Sequence, residues 1–338
     1  MHESIWLGVD IASQSFHAAV ARDGVSAHNW AKLPHAQFAH SKQGVRQLLA
    51  WLRAEGVAPD ELAGVCVEST GQYSHHFAAY ANGRLGPISI INPARSRSFA
   101  RSLGVQHKTD EIDACVLAYF GHGFRPRATA PRPAVLVALR ELCRAYEALA
   151  SDRSAHERRL QNKPESKEVR AVYRRVIRAL TKEMDGLQTR MQALIASEPG
   201  LRADAKRIAS VPGLGARTVQ VLLAEFGDLR EYNRDELVAL AGLYPRRHES
   251  GSSVHKRPRL AKGGKANVRA VLYMAAMSAL QCNPVMQAFG QRLAKHGKTP
   301  MQVLCAVMHK LLRIAHAVVK SEDDFDPQHM DPVVSKAA

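Results

Sequence analysis

Four carboxylates and one serine stand in contexts that suit phosphodiester chemistry. Asp10 closes the apolar run Ile5 to Val9, and Glu68 closes Val65-Cys66-Val67, so each emerges where a strand ends. Asp110 and Asp113 open a helix in Lys108-Thr109-Asp110-Glu111-Ile112-Asp113, and i, i+3 spacing puts both on one helical face. Hard oxygen donors from two strands and a helix are what a pair of Mg²⁺ ions needs. Two such ions activate the attacking oxygen and stabilise the leaving one. Singly, each residue has a plainer reading: a strand-end turn, a solvated Glu, acids complementing a helix dipole. Their combination in a basic protein favours the metal site.

The serine is Ser250, in Tyr244-Pro245-Arg246-Arg247-His248-Glu249-Ser250-Gly251-Ser252-Ser253. Lys256, Arg257, Arg259, Lys262, Lys265 and Arg269 follow it, and such cations would neutralise a phosphate approaching the hydroxyl. A serine hydroxyl is a weak nucleophile without a base or metal. On physics alone a Ser-Gly loop that merely touches phosphates explains the segment better. Upstream, Val211-Pro212-Gly213-Leu214-Gly215 ahead of an apolar helix looks like a helix-hairpin-helix element. Its glycines Gly213 and Gly215 would let backbone N–H groups approach a phosphate. An ordinary tight turn between packed helices fits equally well.

The elements that must position these groups follow from patterning. Ile5 to Val9 and Phe16 to Val20 read as a β-hairpin, with Asn29 to Leu33 as a third strand. Val45, Leu48, Leu49 and Leu52 keep helical spacing, Val65 to Val67 is a buried strand, and a helix surrounds His76 to Tyr80. Ile88 to Ile91 is a further strand, and Asn92-Pro93 opens a helix. That order predicts an α/β domain on a mixed sheet. Past Pro131 and Pro133 the chain turns helical: Leu136, Leu139, Leu142, Tyr146 and Leu149 form one stripe. After a break at Asn162-Lys163-Pro164, the residues Val169, Tyr173, Val176, Leu180, Leu187, Met191 and Leu194 form a coiled-coil-like seam. A helical hairpin within the chain and a dimer account for that seam equally.

The chain has 338 residues and a formal charge of +16, from 47 Lys and Arg against 31 Asp and Glu, a balance that points to nucleic acid. Its five cysteines are odd in number and form no C-x-x-C pair, which argues against a zinc ribbon or a disulfide framework. Met1 to Ser4 lacks a signal-peptide signature, and no apolar run reaches membrane-spanning length. A cytoplasmic protein without a membrane partner is expected. The opening around Gly8-Val9-Asp10 also suits actin-like ATPases and sugar kinases, but no second phosphate loop follows.

Gly8-Val9-Asp10, Glu68-Ser69-Thr70-Gly71-Gln72-Tyr73, Ile91-Asn92-Pro93 and Lys108-Thr109-Asp110 with Asp113-Ala114 together resemble the DEDD insertion-sequence transposases. This is the insertion-sequence one-ten family of bridge-RNA-guided recombinases, and the resemblance keeps its order along nearly the whole chain. It implies an α/β RuvC-like, ribonuclease-H-fold domain at 1–130 whose metal ligands are Asp10, Glu68, Asp110 and Asp113. A helical, coiled-coil-like segment at 131–200 follows. A mainly α serine domain with the helix-hairpin-helix occupies 201–320, and an acidic tail 321–338, of which the stretch from Ser321 to Pro332 reads from its composition as loosely ordered. Pro245-Arg246-Arg247 through Ser253, then Arg259, Lys262, Gly264 and Arg269, resemble the family's serine block, which makes Ser250 the implied nucleophile. His255-Lys256 and Lys262-Gly263-Gly264 depart from its usual pattern. The implied partners are donor and target DNA, a noncoding bridge RNA, Mg²⁺ and a homodimer or homotetramer. A RuvC-like Holliday-junction nuclease and a non-catalytic nucleic-acid-binding protein are the alternatives.

Overall fold

A computed structural model describes residues 4–107, 109–130, 132–250, 254–261 and 263–328, with the backbone alone at 72, 246–250 and 254–259. The chain divides into two compact units, Met1–Pro131 and Arg132–Ala338.

The first unit is built on a five-stranded mixed sheet. Its strands are β1 (Ile5–Ile11), β2 (Ser15–Ala21), β3 (His35–Ala39), β4 (Leu62–Glu68) and β5 (Ile88–Ile91), in the order β3-β2-β1-β4-β5. The first three pair antiparallel, and β4 and β5 run parallel to β1. That topology is compatible with a ribonuclease-H-like fold. The helices are α1 (Lys42–Ala54), α2 (Gln72–Ala81), α3 (Pro93–Ser102) and α4 (Asp110–Phe124).

Alternation along the strands sorts the side chains into two layers. Ile5, Leu7, Val9, Phe16, Val65 and Val67 pack with Val45, Leu48 and Phe77 of α1 and α2. Trp6, Ala19, Ala21 and Cys66 lie on the opposite face with α4. There α4 meets β1 across Gly8, where a Cβ would stand 2.1 Å from the Ala118 nitrogen and 2.2 Å from the Ala114 oxygen. Gly121 similarly meets the Trp6 ring. Ascending residues of α4 thus meet descending residues of β1, so the helix runs antiparallel to the strand. Its first turn lies level with the end of β1.

One sequence expectation changes here. The third strand is His35–Ala39, not Asn29 to Leu33. Asn29 accepts from the Ser26 N–H at 2.7 Å and donates to the Gly24 carbonyl, so it folds a turn, and Trp30 is buried beyond it. The helix expected around His76 to Tyr80 spans Gln72–Ala81, opened by Gly71 at φ +74°.

The second unit is mostly helical: α5 (Ala134–Gln161), α6 (Lys167–Ser197), α7 (Pro199–Ala209), α8 (Ala216–Phe226), α9 (Arg234–Ala241), α10 (Ala266–Cys282), α11 (Pro284–Lys295) and α12 (Pro300–Ser321). Helices α5 and α6 pack on each other as a hairpin: Cys143 meets Met191, and the His156 and Tyr173 rings lie 5.7 Å apart. Every residue of α8 from Thr218 to Phe226 is buried, which makes it the central helix of this core.

Where chain chemistry alone reads a Ser-Gly loop, residues 245–250 and 254–260 form two antiparallel strands, β6 (Pro245–Ser250) and β7 (Val254–Leu260). Their polar sequence has no apolar alternation to announce strands. The acidic segment after α12 is tied down, not loose, as far as Phe325: Arg207 donates to the Glu322 carbonyl, and the Phe325 N–H to Ser210. One helix, α12, is after all long and apolar enough to cross a membrane, but most of its apolar stretch is buried in this core. All five cysteines are free thiols; burial pushes Cys66 up to about 12 and Cys115 and Cys143 to about 11.

Candidate active site

The alternation that sorts the first unit's core also places its carboxylates. Asp10 shares the α4 face of β1 with Trp6 and Gly8, and Glu68 shares that face of β4 with Cys66. Val9 pairs with Val67 in parallel register, so Asp10 and Glu68 sit side by side where the two strands end. The first turn of α4 lies across them. Thr109 caps that helix by accepting from the Ile112 N–H, which leaves Asp110, Glu111 and Asp113 in its first turn.

The four predicted ligands are not equivalent. Glu68 and Asp113 line one cleft of about 170 Å³ together with Ser96, Arg97, Arg101 and His107. Asp110 turns to the β2 side, where its Oδ2 lies 3.8 Å from Nδ1 of His17. Three helical residues rotate by about 60° short of a full turn, enough to aim two first-turn carboxylates at different neighbours. Among the described residues, no three His, Cys, Asp or Glu side chains are drawn close enough to hold a metal ion. The donor set is still suited to one: hard carboxylates from two adjacent strand ends and a helix turn match a divalent cation of the Mg²⁺ class.

Sequence reading missed several residues around these acids. Ser96, buried on α3, places its Oγ 2.7 Å from Oε2 of Glu68 and 3.1 Å from the Pro93 carbonyl. A hydroxyl has one proton to donate, and the shorter, charged acceptor takes it. Asn92 fixes the start of α3 by accepting from the Ala94 N–H, with Pro93 in the first turn. His17 is buried directly opposite Asp10 in the β1–β2 register. Its polar side chain inside an apolar strand was the available signal. Arg97 and Arg101 make the cleft cationic as well as acidic.

In the second unit the glycines differ in role. Gly213 adopts φ +102°, and a Cβ there would stand 2.6 Å from Cβ of Ala279, so close packing on α10 demands it. Gly215 faces open space at the N-terminus of α8. Lys265, expected to meet phosphate, gives its ammonium to Glu225 at 2.7 Å. Glu225 is almost wholly buried on α8 and also accepts from Asn267 at 2.8 Å, with Arg140 3.6 Å away. Burial raises its carboxyl, but Lys265, Arg140 and Asn267 outweigh that and hold it at about 2. Arg269 donates to the Ala241 carbonyl at 3.0 Å.

These contacts anchor both roots of the β6–β7 hairpin. Leu240 accepts from the Lys265 N–H, and Tyr244 from the Ala261 N–H. Ser250 is the last residue of β6, paired with Val254. The side chains of Ser250, Arg246, Arg247, Lys256, Arg257 and Arg259, and the whole of Lys262, lie outside the described residues.

Residues 7–163 match the model of the IS110 DEDD transposases, and residues 205–291 match the transposase IS116/IS110/IS902 family. The chain is 31% identical over 329 residues to the pilin gene-inverting protein of Moraxella bovis, covering 95% of this chain and 97% of that protein. The pilin gene-inverting protein of Moraxella lacunata is 30% identical over 328 residues, with the same coverage. The transposase for insertion sequence element IS1111A of Coxiella burnetii is 25% identical over 306 residues, covering 81% of this chain and 78% of that protein. The carboxylates at the strand ends fall inside the first matched region and the β6–β7 hairpin inside the second, and the chain belongs to the IS110 family of DEDD transposases, enzymes that recombine DNA.

Proposed function

We propose that this recombinase cuts and rejoins donor and target DNA through two groups of residues, the Asp10, Glu68, Asp110 and Asp113 carboxylates and the hydroxyl of Ser250. The observation that carries the reading is the pairing of Asp10 and Glu68 at adjacent strand ends beneath the first turn of α4. The nearest role for it is to hold Mg²⁺, which would lower the cost of forming an alkoxide and neutralise charge building on phosphorus. The names of its relatives support DNA rearrangement as the outcome, since two are pilin gene-inverting proteins and others are insertion-sequence transposases.

In the proposed step the Ser250 oxygen bonds to phosphorus, and one sugar–phosphate bond breaks. The serine proton leaves, and the departing sugar oxygen gains one. Attack on the phosphoserine by a sugar hydroxyl of another strand restores a phosphodiester and frees the serine. One ester replaces another, so no oxidant or nucleotide is needed. Arg246, Arg247, Lys256, Arg257, Arg259 and Lys262, with Arg269, Gly213 and Gly215, would meet nucleic-acid phosphates. Lys265 would act from behind them through Glu225.

Exchange of two duplexes calls for a homodimer or homotetramer, and the family resemblance assigns target choice to a noncoding bridge RNA. The test is reconstitution of purified protein with donor DNA, target DNA, Mg²⁺ and the RNA encoded beside its gene. Recombinant junctions should appear only when all four are present, and junctions formed without the RNA refute the guided reading.

A further inference from the structure

The strongest unassigned charge in the chain lies at the far end of the α5–α6 hairpin. From Arg153 to Lys182 there are ten Lys and Arg against three Glu. Some of these cations have local partners: Arg153 pairs with Glu157, Arg170 holds the carbonyls of Pro164 and Glu165, and Arg159 reaches His156. Arg158, Arg174, Arg175 and Arg178 are exposed, and their guanidinium groups have no hydrogen-bond or ion-pair partner among the described residues. The contact between the His156 and Tyr173 rings puts the two helices' cations at one level.

Helix propensity suits Arg at exposed positions, but neither charge spacing nor packing explains this arrangement. Arg170, Arg174, Arg178 and Lys182 stand in one i, i+4 row, and like charges at that spacing repel and weaken a helix. No acid occurs at i±3 or i±4 of Arg174 or Arg178 to relieve them. The apolar seam also gives out here: Val169 and Val172 are 40% and 44% exposed, while the buried residues of α6 begin at Met184. Successive members of the row are about 6 Å apart along the axis. A DNA duplex offers a charge about every 1.7 Å of its length, so neighbouring cations in the row can each find a phosphate.

We propose that this end of the hairpin is a docking surface for duplex DNA, with Arg158, Arg174, Arg175 and Arg178 as phosphate contacts that carry no base preference. These residues belong neither to the carboxylate group nor to the serine segment, and the proposal does not depend on either assignment. A polyanion laid along the row removes the repulsion that the free protein tolerates.

The experiment compares the full-length protein with its R174Q/R175Q/R178Q variant, titrating a random-sequence DNA duplex over a range of salt concentrations. The plot of log affinity against log salt should lose about 2–3 units of slope, at about 0.9 per phosphate contact. Helicity and Tm should not fall, and the triple Arg→Lys variant should keep the full slope. If the glutamine triple lost helicity, the single R174Q and R178Q variants would carry the test, each lowering the slope by about one unit. An unchanged duplex slope overturns the proposal. So does a slope change confined to structured RNA, or a change in subunit number with the duplex slope intact, which would make this surface an RNA or a protein interface.

Discussion

Oγ of Ser96 lies 2.7 Å from Oε2 of Glu68, and both residues line the cleft that Asp113 enters from α4. That bond fixes one carboxylate oxygen and so sets the direction of the other. Partners of this kind orient ligands, and their loss costs roughly 10–100-fold in metal affinity. Ser96→Ala should therefore weaken Mn²⁺ binding, read by calorimetry, with Ser96→Thr restoring much of it. Equal affinity in Ser96→Ala and wild type would remove Ser96 from the site.

Asp10→Ala, Glu68→Ala and Asp113→Ala should each abolish recombination of a plasmid substrate while leaving the circular dichroism spectrum intact. Their side chains sit at strand ends and in a first helical turn, so truncation leaves the core untouched. Wild-type recombination by the Asp10 variant would rule out the carboxylate site.

Gly8 keeps α4 on β1, because any Cβ there meets the helix backbone at Ala114 and Ala118. Backbone cannot rotate aside as a side chain can. Gly8→Ala should cost about 3 kcal/mol or more, at or beyond the upper end for an overpacked core. It should also uncouple the first turn of α4 from Asp10. A thermal melt and a Mn²⁺ titration on the same sample check both effects.

The Glu225–Lys265 pair predicts a pH dependence with a definite sign. The Glu225 carboxyl is held at about 2 against an ordinary 4.5, so folding favours its charged form. The resulting stability, on the order of 3 kcal/mol, is present above about pH 4.5 and is lost as pH falls towards 2. Lys265→Met strands a buried carboxylate and should cost about 3–5 kcal/mol. The double variant Glu225→Gln/Lys265→Met should recover much of that loss and flatten the acid limb of a denaturation series.

Much of this site is legible from chain chemistry. Asp10, Glu68 and the Asp110–Asp113 turn announce themselves because each ends or begins an apolar element, and period-2 alternation puts the first two on one sheet face. Ser96 and His17 escape because their roles come from contacts 28 residues away in one case and 93 in the other. Lys265 misleads for the opposite reason: in a run of phosphate-seeking cations, nothing local reveals Glu225, 40 residues earlier. The β6–β7 hairpin is hidden too, since it is closed by backbone contacts at its roots and not by an apolar stripe.

The proposed chemistry centres on a serine that becomes covalently joined to DNA. The most direct measurement is peptide mapping by mass spectrometry of protein–DNA adducts trapped during recombination in Mg²⁺. A phosphodiester-linked nucleotide on the peptide containing Ser250, absent from Ser250→Ala and retained in part by Ser253→Ala, is the predicted result. Adducts on another residue, or hydrolysed strands with no adduct from an active wild-type enzyme, would contradict it.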